Sequence, residues 1–215
     1  MNPELPLKEA LTTTNDALDE KTVARDPLVQ FQHWLNDAIA AGLSLPEAMT
    51  LATSTREGKP SARLVLLKLA DERGFVFFTN YGSNKARDLD ANPFAALVFY
   101  WPQLERQVRI EGSVERISAA ESDEYFKTRP RESQLGALSS PQSKVVENRE
   151  VLEQRFHELD EMYGDRGVER PAHWGGYRLK PGRVEFWKAR PSRLHDRILY
   201  EQHSDGDWSI HRLAP

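Results

Sequence analysis

The chain has no cysteine among its 215 residues. It therefore contains no disulfide, no thiolate nucleophile and no cysteine-ligated metal. No apolar run approaches the roughly 18 residues that a membrane-spanning helix needs, and the polar, acidic stretch before Asp26 lacks the apolar core of a signal peptide. We therefore expect a cytoplasmic protein without a membrane partner, in which residues 1–25 form a disordered tail and residues 26–215 form a single domain.

Several functional signatures are also missing. The sequence contains no G-x-G-x-x-G, no G-x-x-x-x-G-K-[ST] and no G-x-S-x-G pattern. Its six histidines lack H-x-x-x-H spacing, so we expect no metal. The net charge of −4 disfavours non-specific nucleic-acid binding. Basic residues that cluster in such an acidic chain indicate a small anion as their partner.

Strand patterns dominate what is present. Helices are predicted from the cap at Asp26-Pro27, from the cap at Ser83, from the capping box of Ser118 and Glu121, and over residues 144–163. Strands are predicted over residues 48–55, 61–70, 75–80, 94–101, 106–117, 174–181, 183–189, 196–203 and 208–213. Because the helices do not alternate regularly with the strands, we predict a mainly β (α+β) fold, an antiparallel barrel with peripheral helices, rather than a doubly wound parallel sheet.

Positive charges in the first half of the chain have two readings. The segment RLVLLK places Arg63 and Lys68 on either side of four aliphatic residues. These two side chains either reach solvent at the ends of an amphipathic strand or contact a ligand. In an ideal strand, positions five apart face opposite sides, so one shared ligand would require a bulge or an extended ligand. Lys85 follows the helix start at Ser83, where N–H groups and the helix dipole attract phosphate. Taken alone, Lys85 is better explained as helix surface charge.

Two further polar sets raise the same choice. Gln107 and Arg109 share a strand face, and Gln107 is suited to hydrogen-bonding a flavin or a base edge. An exposed barrel face is the simpler explanation of that pair. Tyr125, Arg129 and Ser133 surround a helix end and form a hydroxyl–guanidinium set that suits a phosphate. A charged surface helix explains this set as well.

The segment EFWKARPSRLHDR, residues 185–197, carries more positive charge than strands usually need. Arg193 and His195 are two apart, so they share a face if the segment is extended, and Pro191 allows a bend just before them. Trp187 alone is better explained as a core residue, and His195 alone as a surface or satisfied core histidine.

In combination, these segments resemble the pyridoxine (pyridoxamine) 5′-phosphate oxidase family. The resemblance covers residues 26–215 and rests on RLVLLK, FFTNYGSNKA, LERQVRIEG, YFKTRPRESQLGA, PQS, WGGYR, VEFW, RLHDR and the closing RLAP, in this order. It implies an FMN-binding split barrel and a homodimer with FMN at each subunit interface. It also implies oxidation of pyridoxamine or pyridoxine 5′-phosphate by O₂ to pyridoxal 5′-phosphate, with release of H₂O₂, in vitamin B6 biosynthesis or salvage.

The resemblance also implies roles for individual residues. The FMN contacts would be Arg63, Leu64, Val65, Leu66, Leu67, Lys68, Phe78, Thr79, Asn84, Lys85, Gln107, Gln142, Ser143, Trp187 and Arg197. The substrate contacts would be Lys68, Tyr125, Arg129, Ser133, Arg193 and His195, of which Arg193 and His195 would act at the reacting ring.

Two departures from the family pattern bear on these roles. Asn84 stands where many members have an arginine, so one cation for the FMN phosphate is missing. The stretch before Asp26 also lacks the Arg-Arg-Glu-Tyr segment that covers the substrate in some members. Two alternative functions stay open: a non-catalytic carrier of FMN or pyridoxal phosphate, which would not need Arg193 and His195, and another flavin reductase, which would not need the Tyr125 set.

Overall fold

The computed structural model describes residues 17–215. These residues form nine strands in one mainly antiparallel sheet, and five α-helices accompany it. The strands are β1 Ala48–Ser54, β2 Pro60–Leu66, β3 Leu69–Asp71, β4 Gly74–Asn80, β5 Phe94–Trp101, β6 Arg106–Arg116, β7 Trp174–Lys188, β8 Asp196–Gln202 and β9 Trp208–Arg212. The helices are α1 Pro27–Ala40, α2 Asn84–Ala91, α3 Ala119–Thr128, α4 Arg131–Ser139 and α5 Glu150–Tyr163.

The strands are hydrogen-bonded in the order β2-β1-β5-β6-β7-β4-β3, and β8 pairs with both β7 and β9. The chain divides into two compact units, which are described separately. Among the described residues, unit 1 comprises residues 17–46, 99–109 and 183–215, and unit 2 comprises residues 47–98 and 110–182. The expectation of a single domain stays a prediction.

Unit 2 is built around pairs of antiparallel strands. β1 pairs with β2 in the register Leu51↔Arg63, and β4 pairs with β7 in the register Phe77↔Tyr177. Alternate residues of β1 are buried, as the period of a strand with one core face requires. Gly112 permits the close approach of two chain segments, since a Cβ there would lie 1.9 Å from the Lys180 carbonyl oxygen.

Unit 1 packs α1 onto aromatic residues. The ring centroids of Phe31 and Phe99 are 4.9 Å apart, and those of Trp34 and Phe186 are 5.2 Å apart with nearly perpendicular planes. Asp26 caps α1 by accepting a hydrogen bond from the N–H of residue 28 at 2.7 Å. The predicted helix start is therefore confirmed, and the helix covers one side of this unit's core.

Several predicted boundaries are wrong. Residues 61–70 do not form one strand, because residues 67 and 68 interrupt the strand between β2 and β3. The helix predicted from residue 144 begins at Glu150, after the N-cap residue Arg149, and the Asn148 side chain just before it accepts a hydrogen bond from the Val151 N–H. α4 was not predicted, and β7 runs unbroken where two strands were expected.

The predicted disordered tail over residues 1–25 needs a correction. Its first sixteen residues lie outside the described part of the chain, whereas residues 17–25 make specific contacts. Leu18 is buried, and the Ala24 N–H donates to the Gln30 side-chain oxygen at 3.0 Å. The Tyr200 hydroxyl donates to the Ala24 carbonyl at 2.7 Å. Partners distant in sequence therefore hold a segment whose polar composition suggested disorder.

Candidate functional site

Unit 2 contains a cavity of about 470 Å³. It lies between β2, β4, the start of α2, the corner between α3 and α4, and the loop after α4. The predicted site residues in its lining are Leu64, Val65, Leu66, Lys68, Phe78, Thr79, Lys85, Tyr125, Arg129, Ser133 and Gln142. The structure thus brings together residues that are up to 78 positions apart in the sequence.

Lys85 is the buried cation of this cavity. The residue is only 9% exposed, and its ammonium lies 3.2 Å from the Thr79 hydroxyl and 3.3 Å from the Gln142 side-chain oxygen. Within residues 17–215, no carboxylate forms an ion pair with it. Burial lowers the pKa of the Lys85 ammonium, and the charge of Arg63 lowers this pKa further. A bound anion would pair with the ammonium and offset the unfavourable free energy of burying its charge.

The start of α2 fixes the position of Lys85. Ser83 caps this eight-residue helix, and Lys85 follows in its first turn. The Asn84 N–H donates to the Ser143 hydroxyl at 3.2 Å, and the Asn84 side-chain oxygen accepts a hydrogen bond from Arg87. Ser143 adopts a positive φ of 70°. Asn84 and Ser143 are not in the cavity lining, but they attach the loop that carries Gln142 to the helix start.

Arg129 supplies a second cation. It is half-buried after the end of α3, its guanidinium carbon lies 4.6 Å from the Trp174 ring centroid, and its Nη1 is fully buried. That nitrogen has no hydrogen-bond partner in the described part of the chain. Burial lowers the pKa of the Arg129 guanidinium, and Tyr125 opposes this shift. A buried donor without an acceptor is costly, so this nitrogen is suited to receive an oxyanion.

Three aromatic rings form the wall beside Arg129. Phe78 stacks on Tyr125 with centroids 3.9 Å apart, and Trp174 lies 5.3 Å from Phe78 in a nearly parallel plane. Burial raises the pKa of the Tyr125 hydroxyl, and Arg129 opposes this shift. The hydroxyl therefore stays protonated and can donate to an anion together with Ser133.

Two residues of the RLVLLK segment are not in the cavity lining. Leu67 is 6% exposed and belongs to the core. Arg63 donates to the Thr53 hydroxyl at 2.7 Å and the Ser61 hydroxyl at 2.6 Å, and it lies 3.8 Å from the Asp88 carboxylate. Arg63 therefore influences the cavity through its charge on Lys85, and its contact with FMN stays a prediction.

Lys68 reaches the cavity because the strand ends before it. The Leu67 N–H donates to the Glu47 carbonyl, whereas the Lys68 N–H donates to the Val76 carbonyl at 2.8 Å. The backbone thus changes its partner between these two residues. This change takes Lys68 out of the alternation of β2 and lets it line the cavity, whereas Arg63 is not in the lining.

The remaining predicted residues belong to unit 1. The Trp187 and His195 rings lie 4.7 Å apart, and the Arg190 N–H donates to His195 Nδ1 at 3.1 Å. Arg193 is exposed in a short 3-10 helix, Pro191–Arg193. In this unit the structure brings Trp187 and His195 into contact.

Glu185 organises the other charged side chains of this unit. Its buried carboxylate accepts a hydrogen bond from Arg197 Nε at 2.8 Å and another from Arg109 Nη1 at 3.2 Å. The bond to Glu185 raises the pKa of the Arg197 guanidinium. Gln107 is half-buried on β6. The predicted substrate contacts are thus divided: Arg193 and His195 belong to unit 1, and the other four belong to unit 2.

The sequence interpretation missed several residues of the cavity lining. These residues are Asn80, Gly136, Ala137, Ser140 and Trp174. Most of them depend on α4 and the loop after it, which were not recognised as cavity walls. Trp174 stands at the head of the WGGYR segment, and a large aromatic residue before two glycines was the one available signal.

In the part of the chain that the structure describes, no group of three or more acidic or histidine side chains could hold a metal ion. Over the same residues, no helix is long and apolar enough to cross a membrane.

The antiparallel fold is that of a split barrel, and the family models that match the chain are those of oxidases, which places it among the oxidoreductases. Residues 35–163 match the family model described as pyridoxamine 5′-phosphate oxidase. Residues 174–215 match the model described as the pyridoxine 5′-phosphate oxidase C-terminal dimerisation region. The chain belongs to the pyridoxamine 5′-phosphate oxidase family, which confirms the predicted family.

Individual relatives agree with this assignment. The chain is 57% identical to the pyridoxine/pyridoxamine 5′-phosphate oxidase of Burkholderia lata, over 93% of this chain and 94% of the relative. It is 30% identical to PhzG from the same bacterium, solved with tetrahydrophenazine-1-carboxylic acid, with a TM-score of 0.89 over 94% of this chain and 100% of PhzG. A pyridoxamine 5′-phosphate oxidase-related, FMN-binding protein from Nostoc punctiforme is 18% identical with a TM-score of 0.71, over 86% of this chain and 97% of its own. These structures confirm the predicted fold class.

Proposed function

We propose that this chain is an FMN-dependent oxidase of pyridoxamine 5′-phosphate and pyridoxine 5′-phosphate that uses O₂. We further propose that it works as a homodimer with FMN at the subunit interface. The observation that carries the proposal is the presence in one cavity of two cations that are withdrawn from solvent, Lys85 and Arg129, for which residues 17–215 provide no carboxylate partner. The proposed reaction has two phosphorylated participants, the cofactor and the substrate, so two anion sites are what it requires.

The surroundings of Lys85 fit the FMN phosphate. The ammonium is buried beside two neutral oxygen atoms, and it follows the capped N-terminus of α2. A terminal phosphate satisfies both the charge and the helix dipole. A site built for a terminal phosphate leaves no obvious room for the adenylate of FAD, so FMN should bind stoichiometrically and FAD should not.

The surroundings of Arg129 fit the substrate phosphate. Arg129 Nη1, the Tyr125 hydroxyl and the Ser133 hydroxyl offer three donors, and all three residues line the cavity. This phosphate is remote from the reacting C4′ atom of the substrate. Its binding energy can therefore orient that carbon without entering the chemistry itself. Arg193 and His195 would contact the pyridine ring of the substrate.

Bound FMN would accept two electrons from C4′ of the substrate and pass them to O₂, and the protein residues would bind, orient and exclude water. With the amine substrate, one O₂ and one water are consumed, and pyridoxal 5′-phosphate, ammonia and H₂O₂ are released. With the alcohol substrate, O₂ is consumed, and the aldehyde and H₂O₂ are released.

A second candidate is oxidation of a reduced phenazine carboxylic acid. It is favoured by the 0.89 TM-score with PhzG, which was solved with such a ligand. The identity of 57% to the Burkholderia lata pyridoxine/pyridoxamine 5′-phosphate oxidase, against 30% to PhzG from the same bacterium, favours the phosphorylated substrate.

One experiment distinguishes these functions. The protein is purified, loaded with FMN and supplied in air with pyridoxamine 5′-phosphate or with tetrahydrophenazine-1-carboxylic acid. We expect aldehyde and an equal amount of peroxide from the first compound only. Turnover of the phenazine alone would establish the second candidate. Bound flavin without turnover of either compound would indicate a non-catalytic carrier or another flavin reductase.

A further inference from the structure

The turn between β7 and β8 contains two consecutive residues in the left-handed backbone region. Ser192 has a φ of 58° and Arg193 a φ of 60°. Residues other than glycine disfavour this region, so the conformation persists only where the surrounding structure holds it. The strained turn presents Arg193, a proposed substrate contact. The groups that hold the turn therefore matter for the site.

Asp196, the first residue of β8, holds both ends of this turn. Its Oδ2 lies 3.4 Å from Arg190 Nε and accepts a hydrogen bond from the Leu18 N–H at 3.3 Å. Its Oδ1 accepts a hydrogen bond from Arg212 Nη1 at 2.9 Å. The Asp196 side chain is only 15% exposed, so water and salt screen these contacts weakly.

The same turn orients the imidazole of His195. The Arg190 N–H donates to Nδ1 at 3.1 Å, so the neutral ring carries its proton on Nε2. The Trp187 ring packs 4.7 Å from the imidazole. Nε2 is therefore the atom that can donate to a ligand, and its direction depends on the position of Arg190.

We propose that Asp196 is a positioning residue of this enzyme. Its carboxylate holds Arg190 and closes the turn over residues 190–196, which keeps Arg193 and His195 in the conformation that meets the substrate. The inference rests on the proposed function, because that function assigns Arg193 and His195 to the substrate. Asp196 itself acts through these two residues.

The same carboxylate ties the turn to residues 18–20. Arg212, held by Asp196, also donates to the Leu18 carbonyl at 3.0 Å and pairs with Glu20 at 2.6 Å. Leu18 is 6% exposed, which fixes this segment against the core of unit 1. Loosening Asp196 should therefore loosen residues 18–20 and the turn together.

Asp196→Asn tests the proposal with little change of shape. The amide has one acceptor oxygen, and its NH₂ group would face a donor, so at least one of the three donors loses its partner. We expect kcat for pyridoxamine 5′-phosphate to fall about tenfold, with KM and FMN binding within about twofold of wild type. The control is Glu201→Gln, which removes the ion pair to Arg183 across the same two strands and should behave as wild type.

Nitrogen NMR of the His195 ring gives a readout that does not depend on turnover. The wild-type signals of the neutral ring should show the Nε2–H tautomer, and Asp196→Asn should show a mixture. Comparison with His195→Gln assigns the signals, and thermal unfolding checks the fold. If Asp196→Asn does not fold, Arg190→Gln removes the same ion pair from its other side.

The outcomes separate the inference from the proposed function. Wild-type kcat together with unchanged His195 signals in Asp196→Asn would overturn the positioning role. A wild-type protein without oxidase activity, in which the substitution still changes the His195 signals, would overturn the proposed function and leave the structural role of Asp196 intact.

Discussion

Replacement of Lys85 by methionine should have opposite effects on stability and on FMN binding. Lys85 is 9% exposed and its ammonium faces two neutral oxygen atoms, so the charge is costly to bury in the absence of an anion. Methionine has a similar length, and Thr79 still donates to the Gln142 side-chain oxygen at 3.0 Å. Removal of the charge should therefore relieve an unfavourable burial without breaking the pair that remains.

The expected magnitudes follow from the two interactions. Loss of a charge-assisted hydrogen bond to phosphate costs about 1.5–3 kcal/mol, which weakens FMN binding about 10- to 100-fold. Replacement of a buried charge by an apolar group should stabilise the FMN-free protein by about 1 kcal/mol, or raise its Tm by about 2–4 °C. The exposed Lys59, replaced by methionine as the control, should show neither change.

The pH dependence provides a second check. Because burial lowers the pKa of Lys85 in the folded state, the protonated side chain destabilises the FMN-free protein at neutral pH. This penalty disappears as the pH rises through the lowered pKa towards the ordinary value of 10.5, since the folded protein can then release its proton. The stability difference between Lys85→Met and wild type should shrink over this window.

Fluorescence titration with FMN and urea unfolding of the FMN-free protein at several pH values measure these quantities. Unchanged FMN affinity together with unchanged stability would refute the reasoning, because Lys85 would then be an ordinary solvated lysine.

Four further substitutions test other parts of the site. Arg129→Met should raise KM for pyridoxamine 5′-phosphate about 10- to 100-fold and leave FMN affinity unchanged. Steady-state kinetics measure the first quantity and a flavin titration the second, and weaker FMN binding with an unchanged KM would contradict the prediction. Arg193→Leu should lower kcat/KM by more than about tenfold and His195→Leu by less, with FMN retained in both variants. If the flavin of Arg193→Leu were reduced at the wild-type rate in an anaerobic single turnover, Arg193 would not be a substrate contact. Asn84→Arg should tighten FMN binding by about 1 kcal/mol. An unchanged dissociation constant would contradict this and would mean that Lys85, Arg63 and the backbone N–H groups already satisfy the phosphate.

The sequence predicted best those features that depend on neighbouring residues. The caps at Asp26, Ser83 and Ser118 are local hydrogen bonds, and each marks a helix start in the structure. The break before Lys68 was missed because it depends on Glu47 and Val76, two partners outside the segment. Periodicity within ten residues carries no information about such partners.

The site residues could likewise be predicted only where their role did not depend on partners distant in the sequence. The resemblance supplied the residues around Lys85 and Arg129, and the structure brings them into one lining. The resemblance did not reveal that Arg63 is turned towards Asp88 and Thr53, because both partners belong to other elements. The interactions of Asp196 were missed for the same reason, since they join residue 18 to residue 212.

A comparison within unit 2 shows why the cations of the cavity indicate ligands. Arg178 is 3% exposed, and the carboxylates of Asp71 and Glu121 both pair with it. The fold therefore provides carboxylates where a buried guanidinium serves structure alone. In the same unit, a buried nitrogen of Arg129 has no acceptor, and Lys85 has only neutral oxygen neighbours within the described residues. Such burial lowers the stability of the ligand-free protein. An anion that binds at each cation would recover that free energy. The recovered free energy therefore contributes to the affinity of the site for phosphate.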